Sequence, residues 1–290
     1  MVSPVRMIAV DIDGTLLPSA GSVVSERNRR ALTEAQAAGI EIVIATGRRQ
    51  AYATPLLHTV GLRPETVLIT SNGTVTRTLA GTRIDRFLLP VETARALCPA
   101  LRVFGTVVFT FDHEGPGELV LESVEQAHAR IALWVDANRL SIVEVKPLER
   151  AFDRGEAPVQ GMVCGGVEAM RNAEAWLAAS DLAAEIEAHR TEYPVRDLSI
   201  LDILPHGCSK GAALQRLAEA RGIASQDILA IGDNWNDLDM LEAAGRAVVM
   251  ANGAPDLVDE ALRRGWEIAP GNDDDGVAQI IESVLAGAHV

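Results

Sequence analysis

Five short apolar runs in this chain give way to polar residues: 7–10 to Asp11, 40–45 to Thr46, 66–70 to Ser71 and Asn72, 227–232 to Asp233, and 246–250, one residue on, to Asn252. A strand this apolar must be covered on both faces, which is the condition of a parallel sheet packed between helices. Amphipathic stretches separate the runs. Ser25 can cap a helix that places Leu32, Ala35 and Ala38 on one face, and Gly39 stands where helices commonly end in the left-handed conformation. Open parallel sheets bind ligands at the carboxyl ends of their strands, so the polar tips are expected to share one site.

Between about Arg83 and Pro194 the pattern changes. Residues 106–111, 118–121 and 141–145 read as half-exposed strands, interspersed with helices such as 167–179. The expected fold is therefore α/β: a doubly wound parallel-sheet (Rossmann-like) core, split in sequence, with an inserted α/β domain. The expected bounds are 1–83 and 195–290 for the core and 84–194 for the insertion. The acidic run Asp273, Asp274 and Asp275 reads as a solvated turn and helix start, and the apolar residues Phe104, Phe109 and Phe111 read as core.

Bulk properties narrow the partners. The chain has 290 residues, enough for one large or two moderate domains, and its formal net charge is −14. An acidic chain offers no electrostatic footprint for nucleic acid or an anionic membrane, so any anionic ligand must be met by local groups. Cys98, Cys164 and Cys208 lie far apart and form no Cys-x-x-Cys pair, which fits a reducing cytoplasm. No apolar run approaches the roughly 20 residues of a membrane-spanning helix, and the start of the chain shows no signal-peptide pattern. The oligomeric state is open at this level.

Asp11 and Asp13 follow the first run with one residue between them, and extended chain projects side chains of that spacing toward one side. Two neighbouring buried carboxylates repel unless a cation or a proton lies between them, so the pair suggests a hard divalent ion with oxygen ligands. The same residues also read as an Asp-rich turn closed by Gly14, and the spacing alone leaves both readings open. His206, four positions before Lys210, reads as a turn histidine, while His113 and Glu114 suit either a site or solvent.

With its apolar strand, the segment Asp11, Asp13, Gly14, Thr15 resembles the first motif of the haloacid dehalogenase-like phosphohydrolases. Thr46, Gly47 and Arg48 resemble the second motif, Lys210 the third, and Asp233, Asn236 and Asp237 the fourth, all in the family's order. Asn72–Gly73 after the third run, 250–255 and 272–277 resemble segments of the Cof-type subfamily, which carries an α/β cap between its second and third motifs.

The resemblance implies a phosphomonoester hydrolase dependent on Mg2+ and acting on small phosphorylated metabolites, with sugar phosphates the expected class. Asp11 is then the nucleophile that forms an aspartyl-phosphate, and Asp13 the general acid and base. Mg2+ is held by Asp11, the Asp13 backbone carbonyl and Asp233, with Asp237 in support. Lys210 and Thr46 stabilise the transferring group, and Gly47, Arg48, Asn72 and Asn236 join them in contacting phosphate or substrate. Alternatives are a phosphomutase of sugar phosphates and a non-hydrolytic phospho-receiver or regulatory module.

Overall fold

The computed structural model describes residues 5–127 and 129–287. Their contacts divide the chain into two units, one drawn from Met1–Asp85 and Ser209–Val290, the other Arg86–Cys208.

In the first unit the chain runs β1 (Met7–Val10), α1 (Glu26–Ala37), β2 (Glu41–Ala45), α2 (Gln50–His58), β3 (Val67–Thr70), β4 (Val75–Thr78) and β5 (Arg83–Arg86). The second unit follows with α3 (Val91–Arg102), β6 (Thr106–Thr110), β7 (Leu119–Leu121), α4 (Ala132–Ala137), β8 (Ile142–Glu144), β9 (Gln160–Gly165), α5 (Val167–Ala178), β10 (Ile186–Tyr193) and β11 (Leu198–Pro205). The chain then returns through α6 (Lys210–Arg221), β12 (Ile228–Gly232), α7 (Leu238–Ala243), β13 (Arg246–Met250), α8 (Pro255–Arg264), β14 (Glu267–Ala269) and α9 (Gly276–Gly287).

The first sheet has the order β14-β13-β12-β1-β2-β3-β4-β5. Strands β14 through β3 are mutually parallel, and β4 turns antiparallel on β3. Alternation along each strand serves two cores. Ile8, Val10, Ile42, Ile44 and Ile231 face Leu32 of α1, Leu57 of α2 and Ile281 of α9, whereas Met7, Ala9, Val43, Ala45 and Ala230 face Leu214 of α6, Met240 of α7 and Leu257 of α8. Ser25 caps α1, accepting the Asn28 N–H at 3.1 Å, and Gly39 adopts φ +88° just beyond the helix.

From β1 the chain builds outward to β2 and β3, and after the second unit it resumes on the other side of β1 with β12 and β13. The order reverses at β1, so the loops after β1, β2 and β12 diverge there and leave a crevice at the carboxyl ends of the strands.

The second sheet has the order β10-β11-β9-β6-β7-β8, antiparallel except where β7 meets β8. Two sequence expectations change here. The strands at 106–111 and 118–121 are covered on both faces: Val107, Phe109, Phe111 and Val120 enter a core with Leu97, Phe152 and Leu177, while Val108, Leu119 and Leu121 enter another with Ile131 and Val135 of the α4 region. The insertion also extends past residue 194 to Cys208, because β11 pairs along its length with β10 and through Ser199–Ile203 with β9. Its apolar sequence has the look of a core strand leading to Lys210, which hides the boundary. Among the described residues no helix is long and apolar enough to cross a membrane.

Candidate active site

β1 delivers Asp11 to the centre of the crevice, where its N–H still bonds Ile231 O of the neighbouring strand at 3.0 Å. The chain then turns sharply through Ile12–Leu16, with Gly14 at φ +81°. Glycine is required there. A Cβ on residue 14 would lie 2.2 Å from the Asp233 carboxylate, and the turn is tied to that same residue by Thr15 Oγ1 donating to Asp233 Oδ1 at 3.0 Å. Asn252 secures the turn from a further strand end by donating to Gly14 O at 2.7 Å.

Lys210 opens α6, whose amino end Ser209 caps by accepting the Ala212 N–H at 3.0 Å. Its Nζ, wholly buried, donates to Asp11 Oδ1 and Asp237 Oδ1, both at 2.6 Å. Asp237 is fixed in turn: its Oδ2 accepts the N–H groups of Asp233 and Asn234 at 3.0 and 3.2 Å. Gly73 lets the loop after β3 pass against this helix start, since a Cβ there would meet Ser209 O at 2.1 Å.

Asp11, Asp233 and Asp237 each offer a carboxylate oxygen, and these atoms lie within 4.8 Å of one another. Against three buried carboxylates stands one ammonium, leaving two negative charges in a desolvated place. The electrostatics register that shortage. Burial pushes Asp11 up to about 7, resisted by Lys210 and reinforced by Asp237 and Asp13. Asp233 is likewise raised well above the usual carboxylate range, by burial first and then by Asp11 and Asp237. Burial alone would lower Lys210, but the two adjoining aspartates outweigh it and hold the ammonium protonated. A buried set of oxygen donors short of positive charge suits a divalent cation.

The carboxylate of Asp13 is not in this group. It is 45% exposed and takes two bonds from Arg48, Nε to Oδ2 at 2.7 Å and Nη2 to Oδ1 at 2.6 Å. Thr46, at the end of β2, is buried and its Oγ1 accepts the Arg48 N–H at 3.1 Å. Asn72 N–H bonds Thr46 O, and Asn72 Oδ1 accepts from Asn236 Nδ2 at 3.1 Å, so residues after β2, β3 and β12 form one connected rim. Gly47 backs onto Asn72, whose Oδ1 would lie 3.1 Å from a Cβ at residue 47.

Sequence reasoning gave no role to Asn234, which forms a reciprocal cap with Asp237, or to Tyr52, whose ring lies 4.7 Å from the Arg48 guanidinium carbon. Asn252 showed itself only as a polar strand tip. A strand-end asparagine was the available signal for it, whereas the ring of Tyr52 left none. His206 lies in the second unit, exposed beside Glu187 at 3.0 Å, and His113 and Glu114 are exposed on the turn after β6. Ser19 N–H donates to Asp273 and the Ser25 hydroxyl to Asp275, so that acidic run ties down the segment between β1 and α1.

A family model for haloacid dehalogenase-like hydrolases matches residues 8–281. The chain belongs to this family. The phosphatase YwtE of Bacillus subtilis (strain 168), named for 5-amino-6-(5-phospho-D-ribitylamino)uracil, is 30% identical over 98% of this chain and 99% of its own. An HMP-PP phosphatase of Yersinia enterocolitica is 26% identical over 98% of this chain and 97% of its own. The crystal structure of a haloacid dehalogenase-like hydrolase from Bacteroides thetaiotaomicron superposes with a TM-score of 0.75 at 26% identity, covering 97% of this chain and 99% of that one. Within the haloacid dehalogenase-like family this chain is a phosphatase of the Cof type, and its second sheet belongs to the inserted α/β cap.

Proposed function

We propose that the protein is a Mg2+-dependent phosphomonoesterase acting on small phosphorylated metabolites, with phosphate esters of sugars and polyols as its substrate class. The observation that carries this reading is the buried bridge from Lys210 to Asp11 and Asp237, beside Asp233. The phosphorylated ribityl chain in the name of the Bacillus subtilis relative supports the substrate class.

Asp11 attacks phosphorus: a carboxylate oxygen forms the new bond as the bond to the leaving oxygen breaks, and Asp13 passes a proton to that oxygen. In the second half Asp13 takes a proton from water, whose oxygen bonds phosphorus while the bond to Asp11 breaks. Lys210 neutralises the nucleophile and the transferring oxygens. Thr46 and Gly47 hold phosphate oxygens, and Asn72 and Asn236 contact the substrate from the rim.

Asp11, Asp233 and the Asp13 backbone carbonyl are the groups that would hold Mg2+, and Asp237, with hydrogen bonds on both oxygens, supports Lys210 and the turn at Asp233. When bound, the ion draws off charge that develops on phosphate oxygens.

Phosphate release from a panel of phosphorylated metabolites tests the reading. Turnover is expected with Mg2+ and lost with chelator. Asp11→Asn is expected to lose at least about 10³-fold in kcat, as removal of a nucleophile does in other covalent enzymes. Rapid quenching of wild-type enzyme should trap phosphate on Asp11. Near-normal turnover by Asp11→Asn would overturn the covalent route.

A further inference from the structure

Asp13 has to meet a leaving oxygen from one position and a water from the same position, yet its carboxylate is half in solvent, where an aspartate is free to change rotamer. Arg48 removes that freedom. Its two bonds to the two Asp13 oxygens form the planar fork that only arginine makes with a carboxylate.

The fork is itself held at three points. The Arg48 N–H donates to Thr46 Oγ1 at 3.1 Å, Arg48 O accepts the Ser71 N–H at 2.9 Å, and the guanidinium lies on the Tyr52 ring at 4.7 Å. Cation and ring attract one another, and the contact limits where the fork can point. The guanidinium side chain is only 19% exposed, so it is better fixed than the group it holds.

We propose that Arg48 is the positioning residue for Asp13, acting on proton transfer through that carboxylate, with Tyr52 fixing the arginine in place. This rests on the reading of Asp13 as the acid and base. During phosphoryl transfer one Arg48 bond is kept on the Asp13 carbonyl oxygen while the other oxygen gives its proton to the leaving group. As the bond to Asp11 forms and the ester bond breaks, Asp13 becomes a carboxylate and the second Arg48 bond closes. The same fork then presents the carboxylate to water.

Aryl phosphates of graded leaving-group pKa separate this role from phosphate binding. A good leaving group needs no acid, so kcat/KM for dinitrophenyl phosphate should change less than about threefold in Arg48→Ala, while phenyl phosphate should lose at least about tenfold, part of the usual contribution of general acid catalysis. Inhibition by inorganic phosphate should be unchanged. Arg48→Lys keeps the charge without the fork and should show the same steeper dependence on leaving group, and Tyr52→Leu a weaker version of it.

The deciding measurement is a double-mutant cycle. In an Asp13→Asn background Arg48→Ala should cost phenyl phosphate hydrolysis nothing further, because its action passes through Asp13. Equal losses for all leaving groups, weaker phosphate inhibition, or the same Arg48→Ala factor in both backgrounds would overturn the proposal and make Arg48 a direct phosphate ligand. Asp11→Asn run beside these variants keeps the two readings apart. If it stays active, the covalent mechanism fails; if it is dead and the cycle is additive, only the role of Arg48 fails.

Discussion

At the scale of single residues, space around two glycines distinguishes structural from functional demand. Gly14 and Gly39 both have positive φ, but a Cβ at residue 14 meets the Asp233 carboxylate at 2.2 Å whereas one at residue 39 meets nothing within 4 Å. Alanine in either place carries backbone strain on the order of 1–3 kcal/mol. Gly39→Ala should therefore lower the thermal midpoint and leave kcat/KM untouched. Gly14→Ala should lower the midpoint further and also displace Asp233, so that activity falls and recovers in part only at raised Mg2+. Equal kinetics for the two variants, measured across a Mg2+ titration, would remove Asp233 from the ion site.

Elements carry the site through their ends. Ser25 and Ser209 each cap a helix by accepting an N–H three residues on, at 3.1 and 3.0 Å, but only the second helix begins with a site residue. Replacing either serine by alanine should cost about 1 kcal/mol in denaturant unfolding. Ser209→Ala should in addition lower kcat, since the helix start sets where Lys210 reaches Asp11, while Ser25→Ala should keep full activity. Element type and the polar strand tips are legible in sequence because an apolar run that stops at Asp11 or Asp233 records both burial and the end of the strand. Lys210 is legible through the order of motifs. The Arg48–Asp13 fork is not, since it joins side chains 35 positions apart with no periodic pattern between them. The strand at Leu198–Pro205 deceives for a different reason: its apolar sequence does not say which sheet it will join, and pairing with β9 and β10 decides that.

Over the whole molecule, a net charge of −14 repels rather than gathers anionic substrates, so binding depends on charge placed within the crevice. Protons and a divalent cation are then alternative partners for the same carboxylates. Asp11, raised from 3.8 to about 7, and Asp233, raised in the same direction, hold protons more tightly folded than unfolded. Such groups stabilise the fold most below their unfolded pKa, and that contribution is lost as pH rises through the folded value. Glu149, Glu192, Glu260 and Glu282 are shifted downward instead, so their contribution is lost only as pH falls below the ordinary glutamate value of 4.5. Between about pH 5 and pH 8 the site carboxylates should therefore dominate. Without divalent ions the denaturant midpoint should decline across that interval, and millimolar Mg2+ should raise it little at the acid end and strongly at the alkaline end. Asp233→Asn should flatten the decline and weaken the response to Mg2+. A wild-type midpoint that rises with pH in the absence of ions, or a Mg2+ effect of equal size at both ends, would mean that these carboxylates are not the groups sharing protons with the ion.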